Sequence, residues 1–85
     1  MTYAVELLPA AQRDIRRLPA DVQERLWPHL RALGANPRPV NALKLTGTRN
    51  GYRLRGGDYC GLYEVEDQRC LVTVTRAAHR REVYK

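Results

Sequence analysis

The spacing of hydrophobic residues in the first half of the chain predicts a strand followed by two helices. Apolar side chains recur at every second position over residues 2–7, which is typical of a half-buried strand. Two amphipathic helices follow, over residues 10–18 and about 20–33, separated by Pro19. We expect Pro28 to kink the second helix or end it early, because proline removes a main-chain hydrogen bond. The apolar positions of these helices are Ala11, Ile15, Leu18, Val22, Leu26, Leu30 and Leu33.

The second half of the chain has the shorter alternation of an antiparallel sheet. A short strand at residues 42–45 and a mobile loop at 46–50 precede two longer strands, Gly51–Arg55 and Tyr59–Glu66. The Gly56-Gly57 pair predicts a two-residue hairpin turn between them, since glycine readily adopts the positive φ that such turns need. A second turn then leads into a last strand.

The predicted hairpin places Arg53 opposite Cys60 and Leu54 opposite Tyr59, and directly opposed residues share one face of a sheet. We expect the tyrosine-rich face to pack against the helices and the opposite face to be a working surface. The predicted fold class is therefore α+β: an N-terminal strand, a helical hairpin and then an antiparallel sheet packed against the helices, in a single domain over residues 1–85. The working surface carries Arg53, Arg55, Cys60, Leu62, Thr73 and Thr75, with Lys44 at its margin.

The charge of the chain favours an anionic partner. The 85 residues carry 15 basic and 9 acidic side chains, a net charge of +6, and 13 of the basic residues are arginine. Arginine binds phosphate through paired planar donors, so this surface suits nucleic acid or an acidic protein segment. We expect a cytoplasmic protein, since the sequence has neither a membrane-length apolar run nor a signal peptide. Cys60 and Cys70 are spaced for neither a disulfide framework nor a metal site.

Several short motifs, taken in order, resemble the RelE branch of the RelE/ParE toxin superfamily over nearly the whole chain. No single motif is specific, and their combined order carries the likeness. They are Leu18-Pro19, Asn36-Pro37, and residues 43–47 (LKLTG), 52–59 (YRLRGGDY), 62–65 (LYEV) and 79–84 (HRREVY).

The resemblance implies the toxin of a type II toxin–antitoxin pair, a ribosome-dependent endoribonuclease that cuts mRNA through a 2′-hydroxyl without metal or cofactor. It assigns stabilisation of phosphate charge to Arg53 and Arg55, and contact with the scissile phosphate or the leaving group to Arg80. Tyr84 would stack on an mRNA base. His79 is a candidate general acid or base because histidine is the residue type best suited to proton transfer near neutral pH.

One position departs from the RelE pattern. Cys60 stands where that branch has an arginine central to transition-state stabilisation, and losing one such donor commonly costs about two to three orders of magnitude in rate. A natural weakly active member, a sequence altered for expression and a shifted site in which Arg53 takes over all remain open. Further candidate RNA-binding residues are Lys44, Arg49, Arg76 and Arg81.

Two other functions remain open alongside the ribonuclease. The ParE branch shares the fold and inhibits DNA gyrase, and a non-catalytic module could act only as a co-repressor with its antitoxin. The resemblance implies a cognate antitoxin and mRNA on the ribosome as partners, operator DNA only through the antitoxin, and no membrane.

Overall fold

The computed structural model describes residues 2–57 and 59–79, which fold into helices on one side of a mixed sheet. The elements in chain order are β1 (Ala4–Leu7), α1 (Pro9–Arg16), α2 (Ala20–Ala32), β2 (Ala42–Lys44), β3 (Gly51–Arg55), β4 (Tyr59–Glu66), a 3₁₀ turn (Asp67–Arg69) and β5 (Leu71–His79). The sheet order is β1-β5-β4-β3-β2. The predicted α+β class is confirmed, and the added feature is the parallel pairing of β1 with β5.

The helices form where the apolar spacing predicts them. Pro9 begins α1 at a position where a missing N–H costs nothing. The predicted break at Pro28 is wrong, because α2 continues through it to Ala32. Leu26 and Leu30, which flank this proline, are 0% and 1% exposed, so core packing holds the helix together on both sides.

The core lies between the helices and the tyrosine-rich face of the sheet, as the alternation predicts. Leu54 and Tyr63 are each 1% exposed, and both belong to the main cluster of buried side chains. The Tyr63 hydroxyl donates to the Pro37 carbonyl at 2.7 Å, so the connector after α2 is tied to the sheet. The burial of apolar side chains such as these is the main source of folding free energy in a small domain. The helical members of the cluster are Ala11, Ile15, Leu18, Val22, Leu26, Leu30 and Leu33.

The register of the β3–β4 hairpin differs from the predicted one. Arg55 pairs with Cys60, and Arg53 pairs with Leu62 rather than with Cys60. Gly56 is required because the Tyr59 ring occupies the space that a Cβ would fill. Among the described glycines, a positive φ belongs to Gly47 and not to the hairpin. Because the register moves by two positions, the predicted division of side chains between the two faces of β3 and β4 is preserved.

A β-bulge interrupts the β4–β5 pairing. Tyr63 pairs with Val74 but Leu62 pairs with Arg76, so Thr75 is the additional residue. The Thr75 hydroxyl donates to the Leu62 carbonyl at 3.2 Å and holds the bulge in place. Bulges redirect the side chains that follow them. Beyond Thr75, it is therefore the odd-numbered residues of β5 that face the helices.

Within the described ranges, neither helix has the length and hydropathy needed to cross a bilayer.

Candidate nucleic-acid interface

The sheet face opposite the helices carries the predicted working surface, which we call the arginine face (Arg53, Arg55, Cys60, Leu62 and Thr73). Within the described residues, both helices pack on the other side of the sheet. Arg55 is exposed at the end of β3, while Arg53 is half-buried and its Nε is buried. The arginine face thus presents two guanidinium groups from alternate positions of one strand.

Cys60 lies beside these arginines in the centre of the sheet. It pairs with Arg55 on one side and Ala78 on the other, and it is 3% exposed. Burial raises the pKa of the Cys60 thiol, and the charges of Arg53 and Arg55 oppose that rise. The thiol is therefore neutral at physiological pH. The resemblance leads us to expect an arginine at position 60. The structure instead has an uncharged pair there, Cys60 opposite Ala78.

Acidic residues occupy the other end of the arginine face. Glu64 pairs with Gly51 on β3 and Thr73 on β5, and Glu6 of β1 pairs with the same Thr73. Opposed residues share a face, so both carboxylates lie on the face that carries Arg53. Phosphate is attracted to the arginine half of this face and repelled from the other half.

Lys44 does not lie at the margin of the arginine face. It pairs with Tyr52, which places it on the tyrosine-rich face, and its ammonium group is 5.4 Å from the Tyr52 ring centroid. Its Nζ donates to the carbonyls of Thr48 at 2.8 Å and Arg49 at 2.5 Å. The loop at residues 46–50, expected to be mobile, is therefore tied to β2, with Arg49 exposed on it.

This loop folds over the arginine face at Gly51. A Cβ at Gly51 would lie 2.7 Å from Thr48 Oγ1 and 3.3 Å from a Leu45 methyl carbon. The Thr48 hydroxyl also accepts a hydrogen bond from the Gly51 amide at 3.2 Å. Between the loop and strands β4 and β5 lies a concavity of about 310 Å³, which we call the loop pocket. Its polar lining is provided by Thr48, Arg49, Asn50, Glu64 and Thr75.

The guanidinium group of Arg76 is held by α1. Its Nε and Nη2 donate to Asp14 at 2.7 and 3.2 Å, and the Ala77 amide donates to the same carboxylate at 3.0 Å. The Arg76 hydrogen bond lowers the pKa of Asp14. Sequence reasoning missed Asp14, although a lone carboxylate on the basic helix segment 13–17 is a signal for a paired charge. Arg76 thus lies in a structural ion pair rather than projecting freely from the arginine face.

His79 does not lie on the arginine face. His79 pairs with Tyr59, so it lies on the tyrosine-rich face and away from the arginines. The Tyr59 ring lies 6.0 Å from the ring of His29 on α2, between centroids. The remaining candidates, Arg80, Arg81 and Tyr84, lie outside the described residues.

Comparison with known proteins identifies the family. The model of the ParE toxin of type II toxin–antitoxin systems matches residues 5–84. The chain belongs to the RelE/ParE toxin superfamily. No curated protein sequence matches it significantly.

Solved RelE structures share the whole fold of this RelE/ParE chain. RelE in the archaeal RelE–RelB complex from Pyrococcus horikoshii is 27% identical, with a TM-score of 0.82 over 94% of this chain and 97% of that chain. A variant of the E. coli RelE toxin in complex with an antitoxin RelB peptide is 31% identical, with a TM-score of 0.75 over 99% and 92%. The RelBE2 complex from Mycobacterium tuberculosis, at 24% identity, a TM-score of 0.81 and coverage of 94% and 100%, supports the fold alone.

Proposed function

We propose that this type II toxin binds mRNA on the ribosome and cleaves it, as the RelE resemblance implies. The observation that supports the proposal is the adjacent placement of Arg53 and Arg55 on an arginine face that the helices leave open. Strand β4 lies beside β3, β5 lies beside β4, and β5 leads in sequence into Arg80, Arg81 and Tyr84.

The chemistry assigned to the arginines is electrostatic. An attacking 2′-hydroxyl produces a phosphorane-like transition state with additional negative charge, which preorganised cations stabilise. A guanidinium group is a poor base and a good paired donor to phosphate oxygens, so Arg53 and Arg55 are assigned the role of clamps for phosphate. The neutral Cys60 adds no charge, so we expect slow cleavage. Arg80 is proposed to contact the scissile phosphate or the leaving group, and Tyr84 to stack on an mRNA base. His79 is the candidate general acid or base from the sequence, but it lies on the tyrosine-rich face, away from a phosphate bound by Arg53 and Arg55.

The proposed RNA contacts divide into direct and indirect ones. Arg49 and Arg81 are proposed to bind RNA directly. Lys44 and Arg76 are proposed to act through the elements that they hold, because Lys44 fixes the loop and Arg76 binds Asp14. Neutralising a direct phosphate contact should weaken RNA binding and reduce its dependence on salt.

Cleavage on programmed ribosomes tests the proposal. The chain, an Arg53→Ala variant and a Cys60→Arg variant are incubated with translating ribosomes, and cuts are mapped by primer extension. Arg31→Ala is the matched control, since it removes an exposed arginine from α2 on the opposite side. We expect weak codon-positioned cuts that Arg53→Ala reduces about 100-fold, that Arg31→Ala leaves unchanged and that Cys60→Arg increases. No cuts with either the chain or Cys60→Arg would reject the ribonuclease.

Inhibition of DNA gyrase is the second candidate function. Two observations favour it: the matching family model is that of the ParE toxin, and the neutral Cys60–Ala78 pair reduces the charge of the proposed catalytic surface. A supercoiling assay with purified gyrase separates the two functions. Loss of supercoiling together with intact mRNA would identify the ParE-like activity.

We further propose a cognate antitoxin that covers the arginine face. The solved relatives include complexes of RelE with RelB, and an acidic antitoxin segment would match Arg53 and Arg55. The antitoxin would also carry the chain to operator DNA. Co-purification with the product of the adjoining gene tests the pairing. Tight pairing without a growth defect on expression of the chain alone would favour the non-catalytic co-repressor.

A further inference from the structure

Three main-chain groups around Arg55, at the end of β3, are hydrogen-bonded. The Arg55 N–H donates to the Asn41 carbonyl at 3.0 Å, and the Asn41 side-chain amide donates to the Arg55 carbonyl at 2.9 Å. On the other side of β3, the Gly56 N–H donates to the Tyr59 carbonyl at 3.0 Å. The peptide group that joins Arg55 to Gly56 is therefore held from both sides of the strand.

This end of β3 needs such support. Arg55 is the last residue of the strand, and it is followed by Gly56 and Gly57, which restrict the main chain less than other residues do. In an ordinary antiparallel ladder, the Arg55 carbonyl would accept a hydrogen bond from a main-chain N–H of the neighbouring strand. Strand β2 begins only at Ala42. Asn41 supplies the donor from its side chain instead.

The connector after α2 fixes Asn41 in turn. The Ala42 N–H donates to the Pro39 carbonyl at 3.0 Å, which closes a turn that contains Asn41. One residue before this turn, the Arg38 guanidinium donates to both oxygens of Asp67 at 3.2 and 2.8 Å. None of these contacts involves a ligand. The turn that presents Asn41 is therefore in place before any RNA binds.

We propose that Asn41 is a positioning residue for cleavage, which holds Arg55 where its guanidinium stabilises the phosphate under attack. Charge stabilisation of a transition state depends on donors that are fixed before the charge develops. The bond from Asn41 to Arg55 is exposed, so water competes for both groups and the bond contributes little to folding. Its loss should therefore affect catalysis more than stability. This inference rests on the proposed function, because it assigns a further residue to the same reaction.

A double-mutant cycle on cleavage tests whether Asn41 acts through Arg55. Single-turnover cleavage on programmed ribosomes is measured for the wild type, Asn41→Ala, Arg55→Ala and the double variant. Asn41→Ala keeps the main-chain carbonyl that accepts the Arg55 N–H. We expect it to lower the maximal rate about tenfold, to change the half-saturating toxin concentration less than about threefold, and to cause no further loss in the Arg55→Ala background. An unchanged rate in Asn41→Ala, or equal losses in both backgrounds, would overturn the proposal.

Asn36→Ala is the matched control. Asn36 lies in the same connector, and its side chain accepts a hydrogen bond from the Arg38 amide at 3.1 Å. The substitution therefore removes one exposed bond between an asparagine side chain and the main chain without touching Arg55. We expect the cleavage rate of the wild type. A tenfold loss in Asn36→Ala would assign the effect to the connector as a whole and overturn the specific role of Asn41.

A binding measurement separates failure of the positioning from failure of the nuclease. The same variants are titrated with a 2′-O-methyl oligoribonucleotide, which lacks the attacking hydroxyl, and the Nε–Hε resonance of Arg55 is followed by NMR. We expect the RNA to shift this resonance in the wild type and in Asn36→Ala, and less than about half as far in Asn41→Ala. That result without any cleavage would support the positioning and reject the ribonuclease. Equal shifts in the wild type and Asn41→Ala, or no shift in either, would overturn the positioning even if the chain cuts mRNA.

Discussion

Asp14 is the residue whose substitution most directly tests how the end of β5 is held. Strand β1 stops at Leu7, paired with Val74, and within residues 2–57 and 59–79 no strand pairs with β5 on that side beyond this point. The Asp14 carboxylate accepts the Ala77 amide there and also binds the Arg76 guanidinium. Its side chain is 12% exposed, so water does not readily replace these bonds.

The expected cost follows from these hydrogen bonds. A buried main-chain hydrogen bond to a carboxylate contributes about 1.5–3 kcal/mol, and the Arg76 bonds add little because the Arg76 side chain is 62% exposed. We therefore expect Asp14→Ala to lower the free energy of unfolding by about 1.5–3 kcal/mol, or roughly 6–24 °C in Tm for a domain of this size. Asp14→Asn keeps an acceptor for Ala77 and should lose about 1–2 kcal/mol.

Thermal unfolding followed by circular dichroism at pH 7 and pH 3 gives the measurement. The Arg76 hydrogen bond holds the pKa of Asp14 below its ordinary value of 3.8. Its stabilisation is therefore complete above about pH 4–5 and is lost as the pH falls through the folded-state pKa. The gap in Tm between wild type and Asp14→Asn should accordingly shrink towards pH 3.

Asp21→Asn is the control, because Asp21 pairs with Arg25 at 3.6 Å with side chains 71% and 51% exposed. Such an exposed pair contributes less than about 1 kcal/mol. The reasoning is refuted if Asp14→Ala melts no lower than Asp21→Asn at pH 7, or if the gap between wild type and Asp14→Asn is the same at both pH values.

Three further predictions concern other parts of the fold. Gly51→Ala should lower the free energy of unfolding in urea by about 1–3 kcal/mol, because its Cβ would collide with the loop at residues 46–50. Gly61→Ala is the control and should be neutral or stabilising, because no atom lies within 4 Å of the new Cβ. Equal losses in the two variants would contradict this reasoning. Tyr63→Phe removes the buried hydrogen bond to Pro37 and should lower the free energy of unfolding by about 1–1.5 kcal/mol. Burial raises the pKa of the Tyr63 phenol to about 12, so this phenol should be among the last to ionise in an ultraviolet titration of the wild type. Iodoacetamide should modify Cys70 before Cys60 at pH 8, since burial raises the pKa of the Cys60 thiol; faster labelling of Cys60 would contradict its burial.

Local patterns in the sequence determined the elements and which side chains are buried. The apolar stripe of α2 remains helical across Pro28 because its leucines pack into the core, and period-two alternation placed Arg53 and Arg55 together on the open face. That assignment survived a register error on β3 and β4, because moving a strand by two positions leaves every side chain on the same face. The sequence also carried the resemblance to the RelE/ParE superfamily, which the family model confirms.

Only the tertiary structure decided what the remaining charges do. The bulge at Thr75 follows from pairing between β4 and β5, and it turns His79 away from the arginines. Arg76 has its partner 62 positions earlier in the chain, at Asp14, and Lys44 bonds to carbonyls of a folded loop. A charged side chain takes whichever partner folding brings within about 3 Å, and sequence spacing carries no information about such distant partners.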